Sequence, residues 1–111
     1  MSRAKMSPQE RALRSRLAQI VHQQPLMRAT LTVRHVTCGK PTCRCAQGHK
    51  HEALYLTCSV GGKIRQVFVP RALHKEVRQW VANYHTVQEL LERLSERSWQ
   101  RLKARKDEAR S

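Results

Sequence analysis

Cys38, Cys43 and Cys45 lie within eight residues of one another and are followed by His49 and His51, the densest set of soft ligands in the chain. Three thiolates with a further thiolate or an imidazole make the ligand set of a closed tetrahedral zinc site, with Zn–S bonds of about 2.3 Å. Gly39 frees the backbone for a tight reversal after Cys38. The Cys43-Arg44-Cys45 pair sets two thiols one residue apart, a spacing that an irregular loop can aim at one metal. Positive charge from Lys40, Arg44 and Lys50 favours the thiolate form and offsets the negative charge of such a site. The fourth ligand has three candidates. His51 completes Cys-x4-Cys-x-Cys-x5-His and ranks first, His49 is two residues nearer, and Cys58 would make a four-cysteine set.

The competing chemistry is a metal-free thiol cluster with redox activity at Cys43 and Cys45. Enzymatic zinc chemistry is not expected, because a catalytic zinc keeps an open position and four clustered ligands close it. Only eight carboxylates are present, with no nucleophilic triad pattern and no glycine-rich phosphate loop. The expected role of the zinc is structural.

Elements of an α+β fold must hold this turn. Ser7-Pro8-Gln9-Glu10 reads as a capping box. Leu13, Leu17, Ile20 and Val21 then recur at helical spacing, so a helix over 8–24 is expected, ending before Pro25. Residues 29–37 alternate and are rich in β-branched side chains, as a strand requires. Residues 53–60 and 63–69 flank Gly61-Gly62, a hairpin signal that pairs Cys58 with Arg65, Leu56 with Val67 and Tyr55 with Phe68. A three-stranded antiparallel sheet follows, with the cysteine turn between strands one and two.

From Pro70 onward Leu73, Val77, Trp80, Tyr84, Val87, Leu91, Leu94 and Ser98 hold a heptad spacing, which predicts a long helix from 71 to about 104. Such a helix must outrun a small sheet or bend, and Asn83–Thr86 is the expected bend. The organisation is therefore a basic arm (1–6), an N-terminal helix (7–28), a zinc-stapled basic head (29–82) and a C-terminal helical extension (83–111). Trp80 and Tyr84 are assigned to the core. Val87, Leu90, Leu91, Leu94 and Leu102 are assigned to a partner, by self-association through 87–102 into a dimer or by docking on a larger protein. The alternative is that helix 8–24 folds back over the same stretch.

Charge points to the partner class. Twenty-two Lys and Arg against eight acids leave +14, with an isoelectric point near 10.9. Residues 1–81 hold 15 Lys and Arg and 3 acids, whereas 82–111 hold 7 and 5. The front of the chain is thus built to face a polyanion, most often nucleic acid. Arg34, Lys40, Arg44, Lys50, Lys63, Arg65, Arg71 and Lys75 are the expected phosphate contacts. DNA is favoured over RNA because stacking aromatics are scarce, with one Phe, two Tyr and two Trp. The second reading is an accessory subunit that docks a nucleic-acid enzyme such as a recombinase. No stretch is apolar enough to span a membrane and no secretory leader is evident, so a cytoplasmic setting with reduced thiols is expected.

Cys38-Gly39-Lys40-Pro41, Cys43-Arg44-Cys45-Ala46, Gly48, His51, Gly62-Lys63, Val69-Pro70 and Asn83-Tyr84 together resemble a small prokaryotic domain family of uncharacterised function. Its signature runs Cys-Gly-Lys-x-x-Cys-x-Cys, a His-Gly-Pro-Tyr run, a Gly-Lys hairpin and a long helix. Here Glu52-Ala53-Leu54 replaces the Gly-Pro-Tyr. The resemblance covers roughly 30–95 and implies the same element order and a zinc-type turn. It implies no activity.

Overall fold

A computed structural model describes residues 6–36 and 51–110, apart from the side chains of Val36 and His51. The elements run α1 (Pro8–Gln23), β1 (Thr30–Val36), β2 (His51–Val60), β3 (Lys63–Val69), a 3-10 turn (Arg71–Leu73) and α2 (His74–Arg110). This is the expected α+β order, with a sheet ordered β1-β2-β3 and antiparallel throughout. The cysteine turn and nearly all of the basic arm lie outside the described residues.

The hairpin takes the register that the two glycines require. Val60 pairs with Lys63, Cys58 with Arg65, Leu56 with Val67 and Leu54 with Val69. Gly61 and Gly62 both have positive φ, 58° and 80°. Both central residues of a type I′ turn need that conformation, which a side chain would strain. β1 adds to the other edge of β2, from Thr30 opposite Thr57 to Val36 opposite His51.

Contacts divide the chain into two compact units, Met27–Val81 and a second made of the residues up to Leu26 with those from Ala82 on. In the first, the opening turns of α2 cover one face of the sheet. Leu54, Leu56, Val69, Val77 and Val81 are buried, and Met27, Ala29, Leu31 and Trp80 pack against them. Burying one such aliphatic side chain contributes about 1.5–3 kcal/mol, so these few residues supply most of the cohesion. Polar ties fix the entry of α2: His74 Nε2 lies 3.0 Å from the Val69 carbonyl, and the Met27 N–H donates to the Trp80 carbonyl at 3.2 Å.

The second unit is an antiparallel helix pair. Ser7 caps α1, its Oγ accepting from the Glu10 N–H at 3.2 Å, and Pro8 occupies the first turn. The helix ends at Gln23, one residue earlier than expected, because Gln24 is extended (φ −123°, ψ 143°) ahead of Pro25. Ser7 Oγ also accepts from Arg97 at 3.1 Å, Glu10 meets Arg101, and Pro25 O accepts from the Asn83 side chain at 3.0 Å. Both ends of α1 are therefore tied to α2, one near residue 100 and the other at 83.

α2 is helical throughout Asn83–Thr86; Asn83 is buried and bonded to Pro25, and Thr86 Oγ1 donates to the Ala82 carbonyl at 3.1 Å. The buried seam of the pair departs from the heptad reading. It takes Val87 and Leu90 to 8% and 5% exposure and leaves Leu91 at 51%. A straight helix turns every 3.6 residues, so a seam spaced 3.5 residues drifts off the contact line. No helix among the described residues is long and apolar enough to cross a membrane.

Glu10 is the buried charge of the pair, at 2% exposure. Its carboxylate does not serve the reciprocal half of the expected capping box. It is held by Arg14 at 3.1 Å and by Arg101. Burial pushes its carboxyl upward, but the hydrogen bond from Arg14 and the charges of Arg101 and Arg14 outweigh that and leave it below its usual value. A carboxyl lowered in the folded state stabilises above its unfolded value, and the contribution is lost as pH falls through the folded one. Glu10→Gln should therefore lower the melting temperature near neutral pH, and the deficit should shrink as pH falls below the ordinary carboxyl range and through the lowered folded value. Thermal melts of the two proteins across pH check this; a deficit independent of pH would mean that Glu10 acts through packing alone.

Candidate functional site

The sheet has one face that α2 covers and a second that is open toward the hairpin, Ala53 at the far end of that second face being buried. Register places Leu31, Leu54, Leu56, Cys58, Arg65 and Val69 on the face that α2 covers. Thr32, Arg34, Tyr55, Thr57, Gln66 and Phe68 occupy the other, with Ile64 nearer the hairpin. Two large apolar side chains there stand in solvent, Ile64 at 77% and Phe68 at 53% exposure. Tyr55 is half-buried between its neighbours. The Arg34 guanidinium carbon sits 4.9 Å from the Tyr55 ring centroid, and Phe68 meets the same ring edge-on, with centroids 5.7 Å apart and an interplanar angle of 67°. Arg34, Tyr55 and Phe68 come one from each strand.

The expected phosphate contacts do not form one surface. Arg34 lies on the open face. Lys63 and Arg65 lie on the opposite one at the hairpin end, and Arg71 and Lys75 lie in the 3-10 turn and the first turn of α2. All five side chains are exposed. Lys40, Arg44 and Lys50 lie outside the described residues. Arg28, which the sequence reading passed over, donates to the Ser59 carbonyl at 2.9 Å. With Arg65 it flanks a cavity of about 210 Å³ lined also by Met27, Leu56, Cys58 and Val67. Nothing in the local pattern around Arg28 marks it; only the β1–β2 pairing brings it to the hairpin end.

The candidate ligands Cys38, Cys43, Cys45 and His49, and the side chain of His51, also lie outside the described residues. Among the described residues no group of three or more His, Cys, Asp or Glu is placed to hold a metal. Backbone geometry still bears on the fourth ligand. His51 stands opposite Val36, so the two ends of the cysteine stretch meet at one rung, with Cα atoms about 5 Å apart. Cys58 is seven residues further along β2, about 23 Å from that rung. Cys38 follows Val36 by two residues and reaches at most about 7 Å beyond it. One metal cannot then take both Cys38 and Cys58. Cys58 is a half-buried free thiol whose Sγ lies 3.7 Å from the Ser59 carbonyl.

The residues assigned to a partner interface are split in the same way. Val87 and Leu90 are buried within the chain and Leu94 is half-buried, while Leu91 and Leu102 are exposed at 51% and 58%. Trp99, which the heptad reading passed over, is equally exposed.

If the cysteine turn holds zinc, Cys58→Ser should leave the zinc content of the purified protein unchanged, whereas Cys38→Ser should lower it, with chelator reducing the melting temperature of the wild type and of Cys58→Ser alike. Metal analysis and melting curves check this, and equal metal loss in the two variants would place Cys58 in the site.

No curated protein and no solved structure matches the chain. A family model does, over residues 8–79: that of a domain of unknown function (DUF6788), spanning α1, the whole sheet and the start of α2.

Proposed function

We propose that this chain, which belongs to the DUF6788 family, is a basic nucleic-acid-binding module whose cysteine turn is clipped by a structural zinc ion. The observation that carries the reading is the charge of the sheet unit. Residues 27–81 hold ten Lys and Arg against Glu52 and Glu76 alone. The seven of these cations that are described, Arg28, Arg34, Lys63, Arg65, Arg71, Lys75 and Arg78, are all exposed. Ion pairs among the described residues form at Glu10 and Glu89, in the helix pair. The field of the sheet unit is therefore left for a polyanion, and phosphate contacts give affinity without reading sequence.

Zinc fits the donor set of the cysteine stretch, whose flanking residues Val36 and His51 pair at one rung. Cys38, Cys43 and Cys45 with His51 would hold it, His49 being the alternative fourth ligand. The ion would supply folding energy, because a sheet unit of this size is near the lower limit for an unaided core. The binding prediction is steep salt dependence. Affinity for a labelled duplex or single strand should fall roughly a thousandfold between 50 and 200 mM salt if about six phosphates are contacted. Fluorescence anisotropy measures it. Binding that ignores salt, or no binding to either form, would remove the reading.

A second reading, a self-associating or adaptor protein, is favoured by the apolar side chains that the helix pair leaves exposed, Val21, Leu91, Trp99 and Leu102. Leu91→Asp should then shift the sedimenting species from dimer to monomer without lowering the melting point of the monomer. A wild-type chain that sediments as a monomer at all concentrations, and a Leu91→Asp variant that captures the same proteins as wild type, would discard it.

A further inference from the structure

We infer that the open face of the sheet is a stacking platform for single-stranded nucleic acid, with Phe68 and Arg34 as its contact residues. The inference rests on the nucleic-acid reading above and names which form is bound and where. Duplexes present phosphates outward and hide the faces of their bases, whereas single strands can splay bases onto flat side chains. Phe68 stands on the edge strand β3 opposite Tyr55 and keeps 53% of its surface in water, while the same sheet buries Leu54, Leu56 and Val69 on its other side.

The arrangement around Phe68 matches what a base requires. Tyr55 meets Phe68 edge-on, which steadies the Phe68 ring while leaving it half in solvent. Arg34 lies 4.9 Å from the centroid of Tyr55 and is itself exposed, so its planar guanidinium presents a charged stacking surface next to the ring. Thr32, Thr57 and Gln66 on the same face offer hydrogen-bond donors and acceptors to base edges. No acidic side chain belongs to the face between Thr30 and Arg34, Ala53 and Ser59, or Ile64 and Phe68.

Charge complementarity selects the occupant. An exposed aromatic on a sheet could equally receive an apolar protein segment, but the charged side chain described on this face is the cation Arg34, in a unit of ten cations and two acids. A polyanion with flat uncharged faces satisfies both the charge and the rings. The platform also changes the expected preference for DNA over RNA. That preference came from a shortage of stacking side chains, and the few that exist are here partly turned to solvent. Sequence preference is expected to be weak, because every base has a face to stack.

The test uses the full chain, a labelled 20-nucleotide oligo-dT, the matching oligo-U and a 20-base-pair duplex, all at one salt concentration. Phe68→Ala should weaken both single strands by roughly 5- to 150-fold, the effect of removing one stacked base. Its duplex affinity should stay within about twofold of wild type, since phosphate contacts are untouched. Arg34→Lys keeps the charge and loses the plane, and it too should weaken single strands more than duplex. Melting curves confirm that each variant is folded, and Phe68→Trp, which restores a ring, should restore binding. Unchanged single-strand affinity in Phe68→Ala, with salt-dependent binding still present in wild type, would overturn the platform and leave the nucleic-acid reading standing. Absence of wild-type binding to all three probes would overturn both. Equal weakening of single strands and duplex in a folded Phe68→Ala would also overturn the platform, because it would mark a site that does not use base faces.

Discussion

A three-stranded sheet has two faces, and this unit spends a single helix on covering them. The opening turns of α2 close over Leu54, Leu56 and Val69, with Met27 and Leu31 filling the margin. Nothing comparable among the described residues packs over Phe68 and Ile64. The alternation of a strand then forces a division of labour residue by residue: each position either joins the core or meets solvent, and a one-residue slip would exchange the two sets. The type I′ turn at Gly61 and Gly62 is what prevents that slip, since it fixes the β2–β3 register from one end. Coverage and register together determine which side chains are available for binding.

The same constraint disperses the cations. A surface that looks continuous along the sequence, from Arg34 to Lys75, is cut by the sheet into an open face, a hairpin end and a helix start. Only Arg34 among the described members shares its face with aromatic rings. Arg28 joins Arg65 at the hairpin end through the Ser59 carbonyl. Charge alone therefore distributes the attraction over several sides, and the rings mark one side as different.

Much of the fold is legible in the sequence because it is written in short-range terms. Ser7-Pro8 starts a helix by local capping, Gly61-Gly62 needs only its own backbone, and the alternation of Leu54, Leu56 and Cys58 states which face is apolar. What stays hidden depends on distant partners. Glu10 reads as a capping residue until Arg101, ninety-one positions away, is brought beside it. Leu90 and Leu91 are equally apolar, and the choice between them depends on whether the helix supercoils or runs straight against α1. The candidate metal ligands were legible as residue types and spacing, and the described backbone adds only the rung where their ends meet. That rung separates Cys58 from His51, and from Cys38 by the two-residue reach, which spacing along the chain could not do.

The links between α1 and α2 have a consequence for the order in which the molecule assembles. Ser7 bonds Arg97 and Glu10 bonds Arg101, across ninety and ninety-one residues. A ribosome adding about 5–20 residues per second delivers the first helix several seconds before its partner exists. The hairpin, closed by a two-residue turn, can pair as soon as it emerges, so the sheet unit can form while α1 is still alone. During that interval the apolar stripe of Leu13, Leu17 and Ile20 has nothing of its own chain to rest on. Arg11, Arg14 and Arg16 stand on the same short helix, and like-charge repulsion between nascent chains is what keeps such a stripe from meeting another copy of itself.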